Sequence, residues 1–324
     1  MSVPSAFQGR FRVPVIAAPM FLVSGPELVI AACINGVAGS IPALNARPAS
    51  QLDEWLVHID DALTAYRTNF PSAPCAPYGV NLILHASNPR LREDSELLVK
   101  HRVPFVITSL GNPGAIVEAV HGYGGLVFAD VIHAHHARKA AQAGVDGIIA
   151  IASGAGGHAG TQSAFSLVRE IREFWDGCLI LGGAISDGHG VHAAEVLGAD
   201  FAYLGTRFIA TKESRAQEDY KQMIIDASAG DIVYTDVISG ANANFLWPSL
   251  EKAGYGRKKL HAAAEKAVLK DIADEAKAWR DTWSAGHGVA IIHYVPTVAE
   301  LVSRLTAEYQ EARSLPMSAA CRTS

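Results

Sequence analysis

Short apolar runs, many of them rich in β-branched residues, recur along the first two-thirds of the chain. They fall at residues 13–18, 37–41, 78–82, 105–108, 125–129, 147–151, 179–181 and 201–204. None shows the strict alternation of a half-exposed strand, so each reads as a parallel strand covered on both faces. The stretches between them carry helical periodicity. In residues 163–175, Leu167, Val168, Ile171 and Trp175 share one helical face. Residues 133–143 and 191–197 end at Gly144 and Gly198, natural left-handed caps. Eight strands alternating with helices predict an α/β fold, a closed (β/α)8 TIM barrel over about residues 10–210. An open doubly wound sheet is the alternative, and the regular spacing favours closure.

After Thr211 the rhythm stops. Residues 214–280 read as a small, mainly helical insertion or lid around the polar loop 240–244, with no clear buried strand. Val298, Leu301, Val302, Leu305 and Tyr309 then restore the pattern as the last barrel helix. The expected division is therefore a barrel built from residues 1–213 and 281–324, interrupted by 214–280.

Composition narrows the function classes. Of 324 residues, 49% are hydrophobic and 18% charged, enough to build a large core. The net charge of −5, with no run of like charge, gives no footprint for nucleic acid. No apolar stretch reaches the roughly 18 residues of a membrane span, and the start does not read as a secretory signal. Cys33, Cys75, Cys178 and Cys321 are scattered without a CxxC pair, which suits buried thiols in a reducing cytoplasm. A cytoplasmic enzyme with no nucleic-acid or membrane partner is the expectation.

Chemistry in such a barrel gathers at the C-terminal ends of the strands. Gly182-Gly183 follows the seventh strand and Gly205-Thr206 the eighth. Bare backbone N–H groups at two adjacent turns suit a phosphate dianion, with the Thr206 hydroxyl as a further donor. Arg207 is expected to pair elsewhere. After the sixth strand, Ala155, Gly156 and Gly157 belong to a loop with four glycines in seven residues. His158 is its one titratable group, suited to act as base, proton donor or anion anchor. Ala18-Pro19-Met20-Phe21 closes the first strand, where Met20 can lie against a planar ring or pack in the core. Asn81, ending the third strand, can meet a ligand amide or a neighbouring loop. His133, His135 and His136 lack a shared helical face and a carboxylate cluster, so they read as a solvated helix start and not as a metal site.

Together these loops resemble the nitronate monooxygenase family, formerly called 2-nitropropane dioxygenases, flavin enzymes on a TIM barrel. The likeness is strongest over residues 180–213, where Gly182-Gly183, Asp187-Gly188, Leu197-Gly198-Ala199-Asp200 and Gly205-Thr206-Arg207-Phe208 keep the family's order. Ala155-Gly156-Gly157-His158 matches its glycine–histidine signature, and Trp283-Ser284-Ala285-Gly286 a stretch that returns to the flavin. The resemblance implies FMN, with its phosphate on Gly182, Gly183, Gly205 and Thr206. The ring system would lie against Ala18, Pro19, Met20, Phe21, Asn81, Asp130 and the 155–157 loop. His158 and Ser284 would face the substrate, and His158 would hold a nitronate anion or deprotonate a nitroalkane. Oxidation by flavin and O2 would give a carbonyl compound and nitrite, and as a charged anchor His158 would lose activity with rising pH. Two positions depart from the family: Ser153-Gly154 stands where a Glu is usual, and Asp130 where many members have Lys.

The nearest competing reading is an NAD(P)H-dependent FMN reductase on the same scaffold, of the quinone or enoyl-acyl-carrier-protein type. The string Gly154-x-Gly156-x-x-Ala159 lacks the acidic residue that would complete a dinucleotide fingerprint. A phosphate-binding barrel without redox cofactor is a rival from another class, as is a non-catalytic binding protein. The expected partners are thus a small substrate, nitronate or quinone, with O2 or NAD(P)H. Homodimer formation is left open.

Overall fold

The computed structural model describes residues 3–238, 240–256, 279–280 and 282–315. Nine strands precede the insertion: β1 (Val15–Ala17), β2 (Ser40–Pro42), β3 (Gly79–Ile83), β4 (Phe105–Ser109), β5 (Leu126–Val131), β6 (Gly147–Ile151), β7 (Gly157–His158), β8 (Cys178–Gly182) and β9 (Phe201–Leu204). All but β7 form one parallel sheet in the order β1-β9-β8-β6-β5-β4-β3-β2. A bridge between Ile16 and Ala38 joins its two edges, so the sheet closes. The barrel is the predicted one, and the doubly wound alternative is set aside.

Helices α1 (Pro26–Ile34), α2 (Ala49–Asn69), α3 (Leu91–Lys100), α4 (Gly114–His121), α5 (Ala134–Gln142), α6 (Ala164–Arg172) and α7 (Gly188–Leu197) follow successive strands of this barrel. Their capping chemistry is legible: Asp187 accepts from the Gly190 N–H, and Gly198 stops α7 at a φ of +115°. The short α8 (Thr206–Ile209) leads into the insertion, with α9 (Glu218–Asp226) and α10 (Trp247–Lys252). The final α11 (Val298–Ser314) completes the barrel beside α7. The contact is close enough that a Cβ on Gly188 would stand 2.2 Å from the Tyr309 nitrogen.

One expectation is corrected. The insertion contains two buried or half-buried strands, β10 (Ile232–Thr235) and β11 (Ala243–Leu246), which pair with each other and with β7 in a three-stranded antiparallel sheet. Each is only four residues long, and β11 starts within the polar stretch that reads as a loop, so neither produces a recognisable run. Its apolar side is repaid locally: Ala243 and Phe245 pack with Ile238 and Leu250 in a separate small core. Residues 257–278, most of the remaining predicted helical segment, lie outside the described residues, as does Cys321.

Boundaries moved by a few residues where sequence runs and pairing differ. The first strand ends at Ala17, and the second starts at Ser40 and runs through Pro42. Asn81 sits inside β3, not at its end. The barrel interior is filled by Ile16, Phe105, Ile107, Phe128, Ile149, Ile180 and Phe201. Phe7 caps its lower end, with ring centroids 5.4–5.7 Å from Phe105, Phe128 and Phe201. That leaves the other end, at the strands' C-termini, for the site.

Candidate active site

The C-terminal ends of the barrel strands open into a cleft of about 1360 Å³, above the roughly 300–1,000 Å³ common for small-ligand pockets. Every site residue singled out from the sequence lines it. Ala18, Pro19, Met20 and Phe21 come from the turn after β1, Asn81 from β3 and Asp130 from β5. Ala155, Gly156, Gly157 and His158 come from the glycine loop and β7. Gly182 and Gly183 lie at the end of β8, Gly205 and Thr206 at the end of β9, and Ser284 after the insertion.

The two adjacent turns leave backbone bare. Gly183 has a φ of +136°, a conformation that a side chain would strain. A Cβ on Gly205 would enter the gap between Ala18 Cβ and Met20 Sδ, at 3.7 and 3.8 Å. The Thr206 hydroxyl accepts the Gly286 N–H at 2.9 Å, which leaves its own proton free to donate. Arg207 does point elsewhere. Its guanidinium is buried, stacks 5.1 Å from the Tyr294 ring centroid and donates to the Tyr294 carbonyl. Burial lowers its pKa to about 10, against the raising effects of Tyr294 and Glu308.

The glycine loop is tied down from both sides. Asn244 on β11 donates from Nδ2 to the Ser153 and Ala155 carbonyls, at 3.0 and 2.6 Å. The Gly157 N–H donates to Ser284 Oγ at 2.6 Å, and the Ser284 carbonyl in turn accepts from the Tyr220 hydroxyl. Close approach demands glycine at 156, where a Cβ would lie 2.8 Å from the backbone of Ala285 and Gly286. His158 pairs opposite Ala243, and its ring meets the edge or face of Trp279 at 5.6 Å and 84°. The imidazole is therefore mounted on the three-stranded sheet and not on the barrel.

Across the cleft floor runs a chain of polar side chains. Asn81 Nδ2 donates to Ser109 Oγ at 2.7 Å, and Ser109 Oγ donates to Asp130 Oδ2 at 2.6 Å. Asp130 Oδ1 meets no donor among the described residues. Burial raises the Asp130 pKa to about 6, against the lowering effects of the Ser109 hydrogen bond and of the nearby His158. The group His133, His135 and His136 lies at a helix start: His133 precedes α5 and its Nδ1 accepts from the His136 N–H at 3.3 Å.

Several cleft residues carried no sequence signal. Ser109 ends an ordinary apolar strand, and its role follows only from facing Asn81 and Asp130. Tyr220 stacks 4.9 Å from Trp283 at 12°, a partner 63 positions away that belongs to the stretch 283–286 already singled out, and the two meet only because the insertion folds back. Asn244 was visible as part of a polar stretch, but its grip on the glycine loop depends on the unanticipated strand β11.

A family model for nitronate monooxygenase matches residues 7–308, and the chain belongs to that family, a family of flavin-dependent oxidoreductases. A nitronate monooxygenase of Neurospora crassa is 28% identical over 345 aligned positions, 92% of this chain and 89% of that protein. A probable nitronate monooxygenase of Staphylococcus haemolyticus is 35% identical over 78 residues, a local match that spans 24% of this chain and 22% of that protein. Among solved structures, FabK from Thermotoga maritima superposes with a TM-score of 0.75 at 25% identity, covering 94% of each chain. The nitroalkane oxidase of Streptomyces ansochromogenes gives a TM-score of 0.78 at 24% identity, covering 94% of this chain and 98% of that one, and shares the fold.

Proposed function

We propose that the protein is an FMN-dependent nitronate monooxygenase, acting on alkyl nitronates with O2 to yield a carbonyl compound and nitrite. The observation that carries this reading is the union, in one cleft, of two bare-backbone turns with a single imidazole on the opposing loop. Gly182, Gly183, Gly205 and Thr206 would hold the monophosphate, because the turns at these neighbouring strand ends carry little side chain and the Thr206 hydroxyl keeps a proton to donate. The Ala18–Phe21 backbone, Asn81, Asp130 and the Ala155–Gly157 loop would flank the ring system.

FMN, when bound, supplies the electron transfer that no side chain here can perform. The chain's own residues do the rest. His158, as imidazolium, binds the nitronate oxygens and orients the reacting carbon; as neutral imidazole it can take a proton from a nitroalkane. Ser284 fixes the loop that carries His158 and lines the substrate side. Trp279, Trp283 and Tyr220 close the cleft with aromatic surface, which limits water near the reacting atoms.

The test is direct. The purified protein should be yellow, release a flavin mononucleotide on denaturation, consume O2 with a nitronate and liberate nitrite. NADH or NADPH under anaerobic conditions should leave the absorbance near ~450 nm unbleached. Rapid bleaching without nitronate turnover would instead assign the reductase reading, and colourless protein that does not take up FMN would assign a phosphate-binding barrel without redox cofactor.

A further inference from the structure

The polar chain across the cleft floor has a fixed direction. Asn81 Nδ2 donates to the Ile107 carbonyl at 3.2 Å as well as to Ser109 Oγ at 2.7 Å. A carbonyl only accepts, so the orientation of the amide is settled and the Ser109 oxygen acts as acceptor towards Asn81. The one hydroxyl proton of Ser109 goes to Asp130 Oδ2, 2.6 Å away. Oδ2 is thereby committed as an acceptor, whether or not the carboxyl is ionised. A proton taken up by Asp130 belongs on Oδ1.

Oδ1 is buried and meets no donor among the described residues. In a carboxylate such an atom keeps the cost of desolvation, and as O–H it loses the charge that makes burial costly. Two titratable groups face Asp130. His158, on β7, favours the carboxylate, and Tyr203, on β9, has a phenol that burial and this carboxyl both push up. Asp130, His158 and Tyr203 all line the cleft. The carboxyl, raised by burial to about 6, stands close to neutrality before any charge is added. Electrons delivered to the cleft bring negative charge, which raises a neighbouring carboxyl further.

We propose that Asp130 is the redox-linked proton acceptor of the site, taking one proton on Oδ1 when the bound flavin is reduced and returning it on reoxidation. The inference rests on the cleft holding the flavin of the proposed activity. In the balanced step, a reductant (the nitronate, or dithionite in the test) gives the flavin two electrons, which enter with one proton. A second proton, from solvent, forms the Oδ1–H bond. The net charge of the cleft is then the same in both states. When O2 removes the electron pair, both protons leave with it.

The experiment follows the midpoint potential of the FMN-loaded protein, equilibrated with redox dyes, from about pH 6.5 to about pH 8.5. Its slope should correspond to about two protons per electron pair in the wild type and about one in Asp130→Asn. Asparagine suits the test because its carbonyl can keep the Ser109 bond while the side chain does not titrate. The reduced-minus-oxidised infrared spectrum should gain the carbonyl stretch of a protonated carboxyl in the wild type and lack it in Asp130→Asn, which separates Asp130 from protonation of the ring itself. Ser109→Ala removes a bond that favours the carboxylate, so it should raise the pH below which the oxidised protein already holds the proton and the band vanishes. A one-proton slope in the wild type, a two-proton slope retained in Asp130→Asn, or a wild-type spectrum without the band overturns the proposal. A slope and a band that both depend on Asp130, in protein that turns over no nitronate, keep the proton acceptor and remove the monooxygenase reading. Protein that takes up no FMN overturns both.

Discussion

The Gly157 N–H and Ser284 Oγ lie 2.6 Å apart although 127 positions separate them in sequence. This hydrogen bond fastens the loop bearing His158 to the segment that returns from the insertion. Ser284→Ala leaves a partly buried N–H without its acceptor, at a cost of about 1–3 kcal/mol, and frees the loop to move. Chemical denaturation should show a loss in that range. Steady-state kinetics should show a raised KM with flavin content unchanged.

Gly183 adopts a φ of +136° at the head of the proposed phosphate turn, and a Cβ there would come within 3.2 Å of Ala152 Cβ. Gly183→Val should strain the turn by about 1–3 kcal/mol and obstruct the approach to its N–H. Flavin stoichiometry after gel filtration should fall from near one per chain to near zero. Full retention would remove this turn from the cradle.

His158 stands on β7, away from the strand ends that form the proposed cradle. His158→Ala should therefore keep the cofactor and lose roughly 10²–10⁴-fold in kcat/KM with a nitronate. A glutamine in its place, able to hydrogen-bond but not to carry charge, should retain a fraction of that activity and lose the pH dependence. An alanine variant with undiminished turnover would take His158 out of the reaction.

Asp130 gives a pH signature of stability. Its folded pKa, about 6, is raised by burial above the ordinary carboxylate value of 3.8, so folding favours the protonated carboxyl. The resulting stabilisation is complete below pH 3.8 and disappears as pH rises through 6. In flavin-free protein, Asp130→Asn should remove this dependence and gain about 3 kcal/mol relative to wild type at neutral pH. Denaturation curves at a series of pH values between 3.5 and 7.5 would measure it; parallel curves for the two proteins would contradict the assignment.

The barrel was legible because its strands are buried on both faces, so each leaves a continuous apolar run such as 147–151, recovered to the residue as β6. The glycine turns were legible for a related reason: a position that tolerates no side chain shows itself in the residue type. The sheet that carries His158 was not. β11 contains Asn244, a residue poor in strands; the strand exists because its backbone pairs with β10 and β7, and the Asn244 side chain then bonds the Ser153 and Ala155 carbonyls. Such tertiary pairing has no local signature. The same holds for Ser109, a hydroxyl at the end of an apolar strand, whose meaning lies in what faces it three-dimensionally.

Pairing the strand that bears the imidazole with the inserted ribbon gives the proposed site two unlike supports. The proposed nucleotide berth grows out of the staves of the barrel. The imidazole stands on a short strand of the glycine loop, which the β10–β11 hairpin braces through Asn244 and the returning segment through Ser284. Exchanging that hairpin for another should shift the imidazole while leaving the proposed berth intact.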